Sequence, residues 1–155
     1  MSTAPPDPEG EVWPTTSVAV DGAFIEHLSD GVVDVLARAA VEGRGVGQML
    51  LGLSNGVAAR IPMTATAYPL RGTGLSSLIA AEWDSPEARA RAERWVAETG
   101  AALRPWARRA YVNYLPPSAP DRIRGIYGVN YPRLARIKAQ YDPANLFRAN
   151  QNIQP

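Results

Sequence analysis

An α+β fold, an antiparallel sheet with helices packed on one face, is what this sequence predicts. Strand-like segments follow one another through a hairpin signal or a single helix, without the regular strand and helix alternation of a parallel sheet. The clearest helix, DSPEARARAERWVAETGAAL, carries its apolar residues on one side only, so it needs a surface to lie on. A chain of 155 residues is one ordinary domain, long enough to bury about two thirds of its unfolded surface in one core.

Residues 1–11 hold Pro5, Pro6, Pro8 and Gly10 with almost no apolar side chains, and are expected to form a flexible leader ahead of a single domain over 12–155. Val12 to Val20 reads as a short extended piece. Ser29 and Asp30 then cap a helix in which Val32, Val33, Leu36 and Ala40 recur at helical spacing, ending at EGRGVG. QMLLGLSNGVAARI reads as two short strands around Ser54, Asn55 and Gly56, because Asn-Gly supplies the positive φ of a tight hairpin. GLSSLIAAEW is another strand. In the long helix Ser85 takes the cap and Pro86 the first turn, and Ala88, Ala92, Trp95, Val96 and Leu103 form the stripe. AYVNYL follows as a strand and PPSAPD as a loop. Asn130 caps a last helix through about Tyr141, which Asp142-Pro143 ends because the residue before proline avoids α geometry. Leu146 and Phe147 then anchor the turn in the core.

Composition narrows the chemistry. With 16 Lys plus Arg against 15 Asp plus Glu, there is no large net field to attract nucleic acid or an anionic membrane. No apolar run approaches the roughly 20 residues that span a bilayer, and MSTAPPDPEG lacks the basic start and apolar stretch of a secretory signal, so a cytoplasmic location is expected. Zero cysteines and one histidine, His27, disfavour zinc, thiolate and histidine-triad chemistry. His27 reads as a structural histidine. No G-x-G-x-x-G or G-x-x-x-x-G-K-[ST] cradle occurs, and GRGVG at 43–47 reads as a helix C-cap and turn. Arg104, Arg108 and Arg109 beside Trp106 read as a solvated helix end, with phosphate contact or cation–π stacking as the functional alternative.

YVNY at 111–114 offers more. Strand alternation would send Tyr111 and Asn113 to one face and Val112 and Tyr114 to the other, leaving one tyrosine in the core and one at a pocket. Such a phenol is either half-buried with a backbone partner or, with its pKa lowered from about 10, a proton acceptor. Beyond the Asp142 turn, the amides of Asn150, Gln151 and Asn152 present paired donors and acceptors suited to the edge of a heterocycle.

ATAYPLRG, AAEW, ERWV and YVNY, in that order, together with the closing YGVNYPRLARIKAQYDPANLFRANQNIQP, resemble the C-terminal part of the berberine bridge enzyme-like flavoproteins, FAD-linked oxidases related to the vanillyl-alcohol oxidase family. The last stretch looks like that family's N-Y-x-R-L helix, Y-D-P-x-N-x-F turn and N-Q-x-I tail. The resemblance takes in nearly all of 12–155 but only about the last third of a family member, so the FAD-binding domain is expected to be absent. It implies that Asn150, Gln151 and Asn152 face the isoalloxazine of FAD, that the YVNY strand lines the substrate side, and that Tyr114 stands where several members hold a catalytic base. Leu70 replaces the His that commonly precedes Arg, and YVNYLPP lacks the acidic residue that often follows the motif.

Two functions result. One is the substrate-domain half of an FAD-dependent oxidoreductase, acting on an alcohol, sugar or secondary metabolite with FAD brought by a separate FAD-binding domain or subunit. The other is a flavin-free binding module or non-redox cyclase or isomerase, paired as a homodimer to cover the sheet face.

Overall fold

The computed structural model describes residues 17–107, 109–115, 120–148 and 151–155, so the leader at 1–11, the expected strand start at Val12 and Asn150 lie outside the described residues. Strand β1 (Ser17–Ile25), helix α1 (Asp30–Glu42), strand β2 (Gln48–Ser54), the short helix α2 (Gly56–Arg60), strand β3 (Gly74–Trp83) and helix α3 (Pro86–Leu103) come first. Helices α4 (Pro120–Tyr127) and α5 (Tyr131–Tyr141) follow. The three strands form one antiparallel sheet in the order β1-β3-β2, with Asp21 opposite Ile79 and Met49 opposite the same residue from the other side.

Side chains alternate across the sheet, so residues directly paired share a face. One face carries Ala23, Ile25, Ile79 and Ala81, and it is buried under Val32 of α1 and Ala92, Trp95, Val96 and Leu103 of α3. The α3 stripe is the expected one, at offsets of three, four and seven residues. Ser85 Oγ accepts from the Ala88 N–H at 3.3 Å, and Pro86 fills a first-turn position where no N–H is required. Trp95 locks the helix pair together, because its indole Nε1 donates to the Ala39 carbonyl of α1 at 3.0 Å. Gly47 leaves room for that ring: a Cβ there would lie 2.5 Å from Trp95 Cζ3 and 2.5 Å from the Ala80 carbonyl oxygen. The GRGVG segment is the helix end and turn that its glycines predict, with the Gly43 N–H on the Ala39 carbonyl and Gly45 at φ +65°.

Several expectations change. The α1 stripe is Val32, Val35, Leu36 and Ala39, while Val33 and Ala40 face solvent; two apolar stripes offset by one residue coexist in this helix, and the one that packs on the sheet and α3 includes Ala39, whose carbonyl takes the Trp95 indole. Gly56 does adopt φ +63°, yet it opens α2 instead of a hairpin, so GVAARI is no strand. AYVNYL is no strand: Arg109, just ahead of it, bridges Phe24 of β1, and a 3₁₀ turn then closes over Val112–Tyr114. Asn130 occupies the position before α5 with helical dihedrals and does not cap it; its Nδ2 donates instead to the Met63 carbonyl at 3.0 Å. Residues 120–127 form a helix that the proline-rich surroundings concealed.

A second, smaller cluster of Ala110, Leu115, Ile123, Ile126 and Tyr131 joins α4 and α5 to the segment after the bridge, with Ile153 packed on it. Asp21 ties this unit to the sheet. Its buried carboxylate accepts from the Gly22 N–H at 2.8 Å and from Arg122 of α4 at 3.0 Å, with Arg104 at 3.9 Å, so the charge is compensated where water is excluded.

The Asp142 turn is built as a clasp. The Asp142 carboxylate accepts from the Leu146 N–H at 2.7 Å and the Phe147 N–H at 3.1 Å and pairs with Lys138, whose Nζ also reaches the Phe147 carbonyl at 2.6 Å. Asn145 takes φ +50°, a conformation asparagine tolerates better than most side chains. Leu146 and Phe147 do not enter the core: they are 77% and 82% exposed, because the clasp holds them by their backbone and turns their side chains outward. The hydrogen bond from Lys138, followed by those from the Leu146 and Phe147 amides, holds the Asp142 carboxyl below the usual carboxylate range, against the opposing effect of burial. A depressed folded-state pKa contributes stability that is present above the unfolded value, near pH 4, and is lost as pH falls through the folded one. Asp142→Asn is therefore expected to speed amide hydrogen exchange at Leu146 and Phe147 by about tenfold or more near neutral pH. The wild type should lose that protection only below about pH 4; equal exchange in the two proteins at pH 7 would show that the clasp does not hold the tail.

Candidate functional site

The face of the sheet opposite the helices carries a cavity of about 340 Å³. Its floor is made by Phe24, Leu50, Ser76 and Leu78, four residues that the strand register places on one side of three neighbouring strands. Tyr68 and Tyr114 form its aromatic wall. Gly52 opens the floor: a Cβ there would meet only the Ser76 carbonyl oxygen, at 3.9 Å.

Tyr114 reaches this position through Gly22 of β1. A Cβ on residue 22 would lie 2.8 Å from Tyr114 Cβ, so the glycine lets the 3₁₀ turn cross the sheet face closely. In a 3₁₀ turn residues three apart eclipse one another. Tyr111 and Tyr114 accordingly meet edge to face with ring centroids 4.9 Å apart, and Tyr68 meets Tyr111 at 6.0 Å. The expected separation of Tyr111 and Tyr114 onto opposite faces does not occur, since it rested on strand alternation. Asn113 is exposed and donates to the Tyr111 hydroxyl at 2.9 Å.

Tyr127 lies on the far side of this group. Burial, and then the neighbouring Tyr111 phenol, push its pKa above 10, so it stays protonated through the neutral range and is unsuited to accept a proton there. Tyr114 is the tyrosine that both lines the cavity and belongs to the turn.

The tail arrives beside the same turn. Gln151 Nε2 donates to the carbonyl of Leu115, the residue after Tyr114, at 3.2 Å. The Gln154 N–H reaches the Tyr131 hydroxyl at 3.4 Å. Asn152 Oδ1 is buried and has no hydrogen-bond partner among the described residues. The structure thus ties Gln151 to the residue that follows Tyr114, while neither Gln151 nor Asn152 lines the cavity.

Arg109 is no solvated helix end. Its guanidinium donates to the Pro69 carbonyl at 2.9 Å, pairs with Glu26 at 2.5 Å and stacks over the Phe24 ring at 5.0 Å. It fixes the back of the cavity floor. Its role was hidden because three partners come from residues 40 or more positions away. His27 is exposed in the bend after β1, outside any packed cluster. Among the described residues no group of three or more His, Asp or Glu side chains could hold a metal ion, and no helix is long and apolar enough to cross a membrane.

Residues 110–154 match the family described as berberine and berberine like. The chain is 32% identical over 139 residues to the uncharacterized FAD-linked oxidoreductase YgaK of Bacillus subtilis, an alignment covering 86% of this chain and 30% of that protein. It is 38% identical over 99 residues to the FAD-linked oxidoreductase OXR1 of Pyricularia oryzae, covering 57% of this chain and 19% of that one. The fold is shared with the glycopeptide hexose oxidase DBV29, at a TM-score of 0.79 and 23% identity over 90% of this chain and 32% of the other. The chain thus spans less than a third of the length of these two curated relatives.

Proposed function

Because residues 110–154 match the berberine and berberine-like family and the chain is similar to FAD-linked oxidoreductases, we propose that it is the substrate-side portion of an FAD-dependent oxidoreductase. The observation that carries this reading is that the bond from Gln151 to the Leu115 carbonyl ties the amide tail to the residue next to a cavity-lining tyrosine. The substrate is an alcohol, sugar or related metabolite, and the FAD is held chiefly by an FAD-binding domain beyond these 155 residues.

The residues present fit a flavin. Asn152 Oδ1 is a buried acceptor without a partner among the described residues, which suits the imide N–H of an isoalloxazine, and Gln151 is tied in place next to it in sequence. Asn152 would hold the ring edge and Gln151 would fix the tail; Asn150, which the resemblance sets on the same edge, lies outside the described residues. When bound, FAD supplies the acceptor for a hydride. As the phenolate, Tyr114 Oη would take the proton from the substrate hydroxyl, so that loss of the proton and of the hydride from the adjoining carbon leaves a carbonyl product. Tyr111, edge-on to Tyr114, fixes the angle at which that phenol meets the cavity. Leu50, Leu78 and Phe24 seat the body of the substrate and keep water from its apolar side.

An absorbance spectrum tests the reading. The chain mixed with FAD and an FAD-binding domain from the family should give a flavin band near about 450 nm with the shifted shape of a bound ring, and substrate should bleach it. A folded chain that leaves the spectrum of FAD plus that domain unchanged in every mixture would overturn the reading.

A further inference from the structure

We propose that the site takes an uncharged substrate, one with an apolar ring or chain and hydroxyl groups on one side, and that it rejects carboxylates, phosphates and ammonium groups. This rests on the cavity being the substrate site. Among the described residues, none of the side chains that line it is charged: the walls are leucine, phenylalanine and tyrosine, and the polar groups among them are hydroxyls and one amide, from Ser54, Ser76, Asn55 and the two tyrosines.

Charges borne by residues that touch the lining side chains point elsewhere or lie behind them. Arg109 lies behind the Phe24 ring and spends its guanidinium on Glu26 and on the Pro69 and Arg71 carbonyls. Arg71 stacks on Tyr68 at 4.9 Å and donates from its Nη2 to Thr66 at 2.8 Å, which leaves its buried Nε without a partner among the described residues. Asp21 sits on the opposite face of the sheet, with Arg122. A charged group entering the cavity would shed water and find no counter-charge among the described lining side chains, whereas hydroxyl groups find partners of their own kind. Leucine and aromatic walls reward apolar surface on the remaining sides.

The test uses the 155-residue chain and three probes with one skeleton: phenethyl alcohol, phenylacetate and phenethylammonium. Binding is followed by amide NMR shifts at Gly52, Ser76 and Leu78 up to about 10 mM probe, a range that reads millimolar affinity. The alcohol is expected to move these amides and to bind about tenfold or more tightly than either ion. Leu50→Lys, at a 63% exposed edge position where the fold tolerates a charge, should reverse the order in favour of phenylacetate. Equal binding of alcohol and ions, no shift with any probe, or an unchanged order in Leu50→Lys would each overturn the proposal. Failure of the oxidoreductase reading is seen separately, as an alcohol that binds here with the expected preference yet bleaches no flavin once the FAD-binding domain is supplied.

Discussion

Tyr114→Phe is expected to lower turnover by about 10²–10⁴-fold in the assembled oxidoreductase, the range that a positioned proton acceptor contributes. The substitution removes one oxygen and keeps the ring, so the edge-to-face contact with Tyr111 and the approach to Gly22 survive. Probe binding in the cavity should therefore change less than about threefold, and the loss should fall on kcat with KM nearly constant. A variant with wild-type kcat would remove Tyr114 from the chemistry. A large rise in KM with unchanged kcat would make it a substrate-binding residue only. Tyr127→Phe is the control, because Tyr127 stays protonated at neutral pH and should leave kcat unchanged.

Trp95→Ala is expected to cost about 3–5 kcal/mol of stability, the range for emptying a large aromatic site in a core. Three things fail together. The ring between α1, α3 and β3 leaves a cavity, the Ala39 carbonyl loses its indole donor, and Gly43 and Gly47 lose the surface they were shaped against. Denaturant unfolding measures this as a lower midpoint with an unchanged slope. For a domain of this size an effect of that magnitude leaves little net stability. Trp95→Phe separates the contributions, since it keeps most of the packing and removes the hydrogen bond. It should cost about 1–2 kcal/mol. Equal midpoints for Trp95→Ala and wild type would show that α1 and α3 hold the sheet without it.

Where local chemistry and burial agree, the sequence is easily read. Ser85, Pro86 and the stripe from Ala92 to Leu103 define α3 almost to the residue, and GLSSLIAAEW is β3 over its whole length. The Asp142-Pro143 stop and the turn after it are equally plain, because their backbone requirements are local. The departures come where a distant partner decides. Leu146 and Phe147 have the composition of anchors, but the carboxylate of Asp142 and Lys138 set the backbone path first. Asn130 has the composition of a cap, but the Met63 carbonyl takes its amide. For the site, Tyr114 and the amides of Gln151 and Asn152 were visible as residue types. The bond that joins them to one place, from Gln151 to Leu115, spans 36 positions and has no local signature. Arg109 illustrates the same limit, since a guanidinium beside a helix end looks solvated until Phe24, Glu26 and Pro69 are brought to it.

The 3₁₀ turn also determines which kinds of genetic change the site can survive. Tyr111 and Tyr114 stand in line because three residues complete one revolution of that turn, so their alignment is a matter of counting rather than of identity. Side chains at 112 and 113 can be exchanged without disturbing the phase. Adding or deleting a single residue between the tyrosines would rotate one of them by about 120° away from the other. Spacing is thus the inherited quantity at this point of the chain, and an indel there would be costlier to the cavity than most substitutions in it.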